Sequence, residues 1–212
     1  MPAETPTPVA PTSDRVEALY DALLYVVSHD VKSPLVSITL GAELLETASS
    51  GGEETARVAL DAIRHGAKDL ERQLEAVTVI SRARRRPLDD TPRALGALLA
   101  EIAPLAAPAL EGVTVAVDPR PITELLAVSP DPATIEVDVR PSEVRLVLSL
   151  PEDTTDLEGS PLELLLGSLT VHAGGTITAL AGLEAQLERQ GGALQISGAR
   201  MRLTLPRIEA GR

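Results

Sequence analysis

The sequence predicts a helical hairpin that closes a dimeric four-helix bundle, followed by a two-layer α/β sandwich. Three observations predict it. Val16, Tyr20, Leu23, Val27, Val31, Leu35, Ile38, Ala42 and Leu45 recur at steps of three and four, which places one apolar stripe along a helix. Ala56, Leu60, Ile63, Ala67, Leu70, Leu74 and Val77 alternate steps of four and three without a break, a coiled-coil register. Beyond Pro87 helical and strand-like periods mix. With 212 residues, 44% of them hydrophobic, the chain has material for one large core or two small ones.

Residues 1–12 are rich in Pro and Thr and have no apolar period, so they are expected to form a flexible tail. Ser13 or Asp14 is a cap for the first helix, and Ser49-Ser50-Gly51-Gly52 stops it. The second helix ends in Arg82, Arg84, Arg85 and Arg86 ahead of Pro87, cations favoured at a helix C-terminus and then a stop. A two-helix hairpin cannot cover both stripes by itself, so a second copy of residues 13–86 is expected to complete the bundle. In residues 87–212, Arg93 to Leu110 reads as a helix, Val113 to Val117 as a strand and Ile122 to Val128 as a short helix. Ala133 to Val139 and Glu143 to Leu150 read as strands around an Arg140-Pro141-Ser142 turn. Pro151 to Gly175 reads as a long connection with at least one helical turn, Thr176 to Gln190 as a helix ended by Gly191-Gly192, and Ala193 to Ser197 with Arg200 to Leu205 as a hairpin.

Composition excludes several functions. Aromatics are 1% of the chain and Phe and Trp are absent, so platforms for base stacking are missing, and a net charge of -12 repels phosphate backbones and anionic membranes. No nucleic-acid partner is expected. The absence of cysteine removes disulfides, thiolate metal sites and cysteine nucleophiles. Apolar runs stay well short of the roughly 20 residues of a membrane span, and Met1-Pro2-Ala3-Glu4-Thr5-Pro6 lacks the order of a signal peptide, so a cytoplasmic location is expected. The chain also contains no asparagine.

His29 is the chemical focus. It stands two residues from both Val27 and Val31, so it points about 200° from the apolar seam and into solvent. A neutral imidazole nitrogen is a nucleophile near neutral pH, and Asp30 is placed to hold the proton on the other ring nitrogen and orient the ring. Pro34 removes a hydrogen bond and clashes with the Asp30 carbonyl at a cost of roughly 3 kcal/mol, which predicts a bend or loosened turn beside the histidine. His65 and His172 read as surface imidazoles, and three dispersed histidines make no metal-ligand pattern.

The run Ser28-His29-Asp30-Val31-Lys32-Ser33-Pro34-Leu35 resembles the phosphoacceptor box of sensor histidine kinases, through His29, Asp30, Pro34 and Leu35. The long helix, glycine loop and second helix are similar to that family's dimerisation and histidine-phosphotransfer hairpin. The resemblance implies that His29 is the phosphoacceptor. It also implies that Ser33, where the family often carries Thr or Asn, positions water.

The remainder resembles the family's ATP-binding domain in outline. Leu88-Asp89-Asp90 with the helix after it is similar to the opening of that domain, and Gln190 to Ile196 with Leu203 to Pro206 is similar to its close. The family holds Mg-ATP with an asparagine-bearing helix, which this chain cannot supply. Pro151-Glu152-Asp153-Thr154-Thr155 stands where an Asp-x-Gly-x-Gly run reads adenine, and Ile177 and Ala179 stand where glycines approach the phosphates. A β-branched side chain cannot give that approach.

These features predict a degenerate ATPase-like domain with no cofactor of its own. The expected function is a phosphorelay step in which His29 takes a phosphoryl group from one response-regulator receiver domain and gives it to another, Mg²⁺ arriving with the receiver. Two alternatives stand beside it: a non-catalytic pseudokinase scaffold that binds a receiver or a kinase, and an active autokinase with an unusual nucleotide site.

Overall fold

The computed structural model describes residues 27, 29–47, 52–100, 110–129, 135–150 and 156–208. The tail, the Ser13 and Asp14 caps, Ser28, the Ser49-Ser50-Gly51 stop, the predicted helix beyond Ala100, the start of the strand at Ala133 and the Pro151–Thr155 run lie outside the described residues.

Two helices, α1 (Lys32–Thr47) and α2 (Gly52–Arg85), form the hairpin. They touch through their smallest residues. A Cβ placed on Gly41 would lie 2.8 Å from the Ala59 carbonyl oxygen and 2.7 Å from Ile63 Cγ1. The buried stripe of α2 is Ala59, Gly66 and Gln73, joined lower down by Ala76, Ile80 and Ala83. This stripe lies about 80° around the helix from the seam predicted by apolar periodicity. Leu60, Ala67 and Leu74 of that seam are exposed in the single chain. Apolar periodicity selects large residues, whereas close approach of two backbones selects small ones, so the sequence displays two faces of α2 and only the larger one is conspicuous.

The lower half of α2 belongs to the core of the second domain. Ala76, Ile80 and Ala83 join one continuous buried cluster with Leu125, Leu165, Leu180, Leu203 and their neighbours. The terminal arginines fasten this junction. Arg189 donates to the carbonyl oxygens of Ala83 (3.2 Å) and Arg86 (2.8 Å), capping the end of α2, and Arg86 reaches Glu124 at 3.3 Å.

The second domain contains β1 (Arg93–Ala94), α3 (Leu95–Leu99), β2 (Thr114–Val115), α4 (Pro119–Val128), β3 (Glu136–Val139), β4 (Glu143–Ser149), β5 (Glu158–Gly159), α5 (Pro161–Gly167), α6 (Leu169–His172), α7 (Gly175–Leu187), a 3₁₀ turn over Glu188–Gln190, β6 (Ala193–Ser197) and β7 (Arg200–Ile208). The strands form an antiparallel sheet ordered β1-β2-β7-β4-β3, with β6 pairing β7 and β5 pairing β6. Val144, Leu146 and Leu148 of β4 alternate with less buried residues, and this apolar face carries the helices. Helix α7 is buried from Ile177 to Leu187 apart from Ala179, as expected of a helix that is apolar on nearly every side.

One expectation is corrected. Arg93 to Leu110 is not one helix: Arg93 and Ala94 pair with Val115 and Thr114 as a sheet edge, and the helix following them is the short α3. Pairing with β2 overrides local helix propensity. The connection before α7, expected to hold at least one helical turn, holds β5 and two helices among its described residues; the helix signals are Ser160-Pro161, an N-cap followed by Pro at the first helical position, and Ser168, whose hydroxyl accepts from the Val171 amide. Among the described residues no helix is long and apolar enough to cross a membrane.

Candidate functional site: His29 at the junction of hairpin and second domain

The histidine turn is irregular for a stated reason. Pro34 has no amide to return to the Asp30 carbonyl, and the regular helix is interrupted at Val31. The hydrogen bonds on either side are long, 3.3 Å from the Val31 amide to the Val27 carbonyl and 3.4 Å from the Leu35 amide to the Val31 carbonyl. Pro34 itself is buried against α2, where Gly66 makes room for its carbonyl. Ser33 is exposed.

The His29 side chain is 70% exposed, and its Nδ1 lies 3.0 Å from Asp30 Oδ1. Adjacent residues on a helix do not face one another, so this pairing needs a second anchor. The anchor comes from 139 residues away. Asp30 Oδ2 accepts from the backbone amides of Leu169 at 3.0 Å and Thr170 at 3.4 Å. The Asp30 side chain is consequently only 15% exposed. Burial raises its pKa, but the hydrogen bonds from His29 and from the Thr170 and Leu169 amides outweigh that and hold it below the usual carboxylate range. An ionised Asp30 is an acceptor at both oxygens, the partner that a protonated ring nitrogen facing it requires.

The amides at Leu169 and Thr170 are rigidly supported. Leu169 is fully buried, and α5 enters the turn through Ser168. The N-terminus of α5 is held by Glu184 of α7, whose carboxylate accepts from Ser160 Oγ and the Leu162 amide, both at 2.8 Å. On the far side, Thr178 Oγ1 accepts from the Gly174 amide at 2.7 Å and donates to the His172 carbonyl at 3.4 Å. Sequence reasoning missed this contribution. Its one local signal was the Ser168 cap, which fixes a turn but does not say what the turn faces.

Neither of the other histidine side chains is bonded to Asp30. His65 is exposed, with Nδ1 at 2.7 Å from the Asp61 carbonyl, and His172 closes α6. At the positions where the family resemblance expects phosphate-approaching glycines, Ile177 is packed in the core and Ala179 borders a cleft of about 470 Å³ between α2, α4 and α7. Val79, Val128 and Leu183 line that cleft, with Arg82, Arg86 and Glu124.

Residues 20–86 match the His Kinase A (phospho-acceptor) domain. The match covers the helical hairpin, and phospho-acceptor domains of this kind serve two-component signalling with response regulators and typically dimerise. Thirty-seven solved chains match it. Among them is the Acinetobacter baumannii histidine kinase AdeS, at 14% identity and a TM-score of 0.31 over 86% of this chain and 98% of that one. No curated protein matches the chain.

Proposed function

We propose that the chain is a phosphorelay protein whose His29 carries a phosphoryl group between the aspartates of response-regulator receiver domains, and that it does not use ATP. The observation that carries this reading is the state of the two halves. The phospho-acceptor segment presents an exposed His29 bonded to Asp30, while the rest of the sequence has no asparagine and carries Ile177 and Ala179 where the family resemblance expects glycines.

In the forward step the imidazole Nε2 attacks phosphorus of a receiver's aspartyl phosphate. The Nε2–P bond forms as the P–O bond to the aspartate breaks, and the carboxylate leaves. Positive charge developing on the ring is met by Asp30 at Nδ1. Transfer to a second receiver reverses these events. Mg²⁺ belongs to the receiver, and the described chemistry of this chain is nucleophile, orientation and exposure. Ser33, one turn from His29 and exposed, is suited to ordering a water during loss of the phosphoryl group.

Against ATP stand the lack of asparagine in the sequence and the Ile177 side chain built into the core. A calorimetric titration with Mg-ATP tests this half directly. No heat of binding is expected at micromolar protein, and a micromolar dissociation constant would overturn it in favour of the autokinase reading.

The functional unit is proposed to be a homodimer. Leu60 and Leu74 on α2 and Leu35 on α1 are each more than two-fifths exposed, and the first two lie on the part of the coiled-coil seam that the intrachain contact leaves uncovered.

A further inference from the structure

Resting on that reading of His29, we infer that the second domain is the positioning element of the phosphoacceptor: the backbone amides of Leu169 and Thr170 hold the Asp30 carboxylate so that it keeps the proton on His29 Nδ1 and directs Nε2 to the incoming phosphoryl group. A domain without nucleotide chemistry thereby has a reason to stay docked on the hairpin.

Three features support the assignment. His29 and Asp30 are sequence neighbours on a helix, and their side chains diverge by about 100°. A carboxylate free to rotate there would spend its time in water; Asp30 is instead pinned through Oδ2 while Oδ1 faces the ring. The turn that pins it does not belong to the hairpin and is itself anchored by the buried Leu169, by the Ser168 cap and, through α5, by Glu184. Finally, imidazole in water favours the tautomer protonated on Nε2, the wrong one for attack through that atom. A fixed acceptor at Nδ1 reverses the preference, as carboxylates do for ligating histidines in metal sites.

The test is the tautomer of His29 in the full chain, read by NMR of labelled imidazole nitrogens and assigned with His29→Gln. Wild type is expected in the Nδ1–H form. Thr170→Pro deletes one amide donor and disfavours the helical conformation of Leu169, so His29 should shift towards the Nε2–H form. Thr170→Ala keeps the amide and should keep the wild-type tautomer. Phosphorylation of His29 by phosphoramidate, in which ammonia leaves as the Nε2–P bond forms, should slow several-fold in Thr170→Pro and not in Thr170→Ala. If Thr170→Pro fails to fold, Asp30→Asn decides, because its amide puts an NH2 donor at one of the two positions and so cannot accept from both the backbone amides and Nδ1–H. An unchanged tautomer in a folded Thr170→Pro or in Asp30→Asn, or an Nε2–H wild type, would overturn the inference. A wild type that shows the Nδ1–H form and its loss in Thr170→Pro, yet is never charged by a phosphorylated receiver, would refute the relay and leave the positioning intact.

Discussion

Gly66 of α2 lies directly against the carbonyl of Pro34 in α1: a Cβ on Gly66 would sit 2.7 Å from that oxygen and 2.9 Å from Ile38 Cγ1. One of the two close helix contacts at glycine in the hairpin is therefore near the irregular turn that carries His29. Alanine in place of glycine favours an isolated helix by about 1 kcal/mol. Here the clash is with backbone, which cannot rotate aside. Gly66→Ala is expected to lower stability by about 1–3 kcal/mol in urea unfolding, and a stabilised variant would show that the two helices are farther apart.

The exposed seam of α2 predicts the oligomeric state. Light scattering at micromolar concentration should give twice the 22.2 kDa chain mass. Leu74→Glu, which places a charge on the seam without touching the intrachain contact, should shift the protein to monomer. A wild-type monomer would exclude the dimeric bundle.

The hairpin was legible because its signals are local: apolar residues at helical spacing, a glycine stop and His29 two residues off the seam. The choice of intrachain face was not, since Ala59, Gly66 and Gln73 carry little hydrophobic signal and act by being small or accommodating. His29, Asp30 and Pro34 stood out as a motif. Leu169 and Thr170 did not, because they contribute through backbone amides that every residue but proline possesses, brought into place by folding across 139 and 140 positions. The strand at Arg93 was hidden for a similar reason, its pairing partners being Thr114 and Val115.

Asp118 predicts an acid branch of the stability curve. It is fully buried at the N-cap of α4, bonded to the Arg120 guanidinium, the Arg120 amide and the Asp89 amide at 3.1 Å. The Arg120 side chain, opposed by burial and helped by these amides, holds its pKa well below the usual carboxylate range. Its contribution is present above the unfolded value near pH 4 and is lost as pH falls below it. Asp118→Asn should cost about 1–3 kcal/mol at pH 7 and flatten unfolding free energy against pH below about 4. An unchanged acid slope would contradict this.

Glu184 predicts a trend of opposite sign. Burial pushes its pKa up to about 7 against the hydrogen bonds of Leu162 and Ser160, with Glu188 and Glu163 adding to the rise. Between its unfolded value and pH 7 the folded state binds the extra proton, so stability falls as pH rises through that window and levels off above it. The loss from this group is about 3 kcal/mol. Denaturation from pH 4.5 to 8 should show this decline in wild type and a shallower one in Glu184→Gln; equal slopes would exclude Glu184 as the source.

The central claim is that His29 exchanges phosphate with a partner's aspartate and not with ATP. It is tested most directly by incubating the full chain with radiolabelled ATP in one arm and with receiver domains carrying radiolabelled aspartyl phosphate in the other, using wild type and His29→Gln. Label is expected on the wild type from a receiver only and is expected to be absent in His29→Gln. Label from ATP, or label from a receiver that survives His29→Gln, would contradict it.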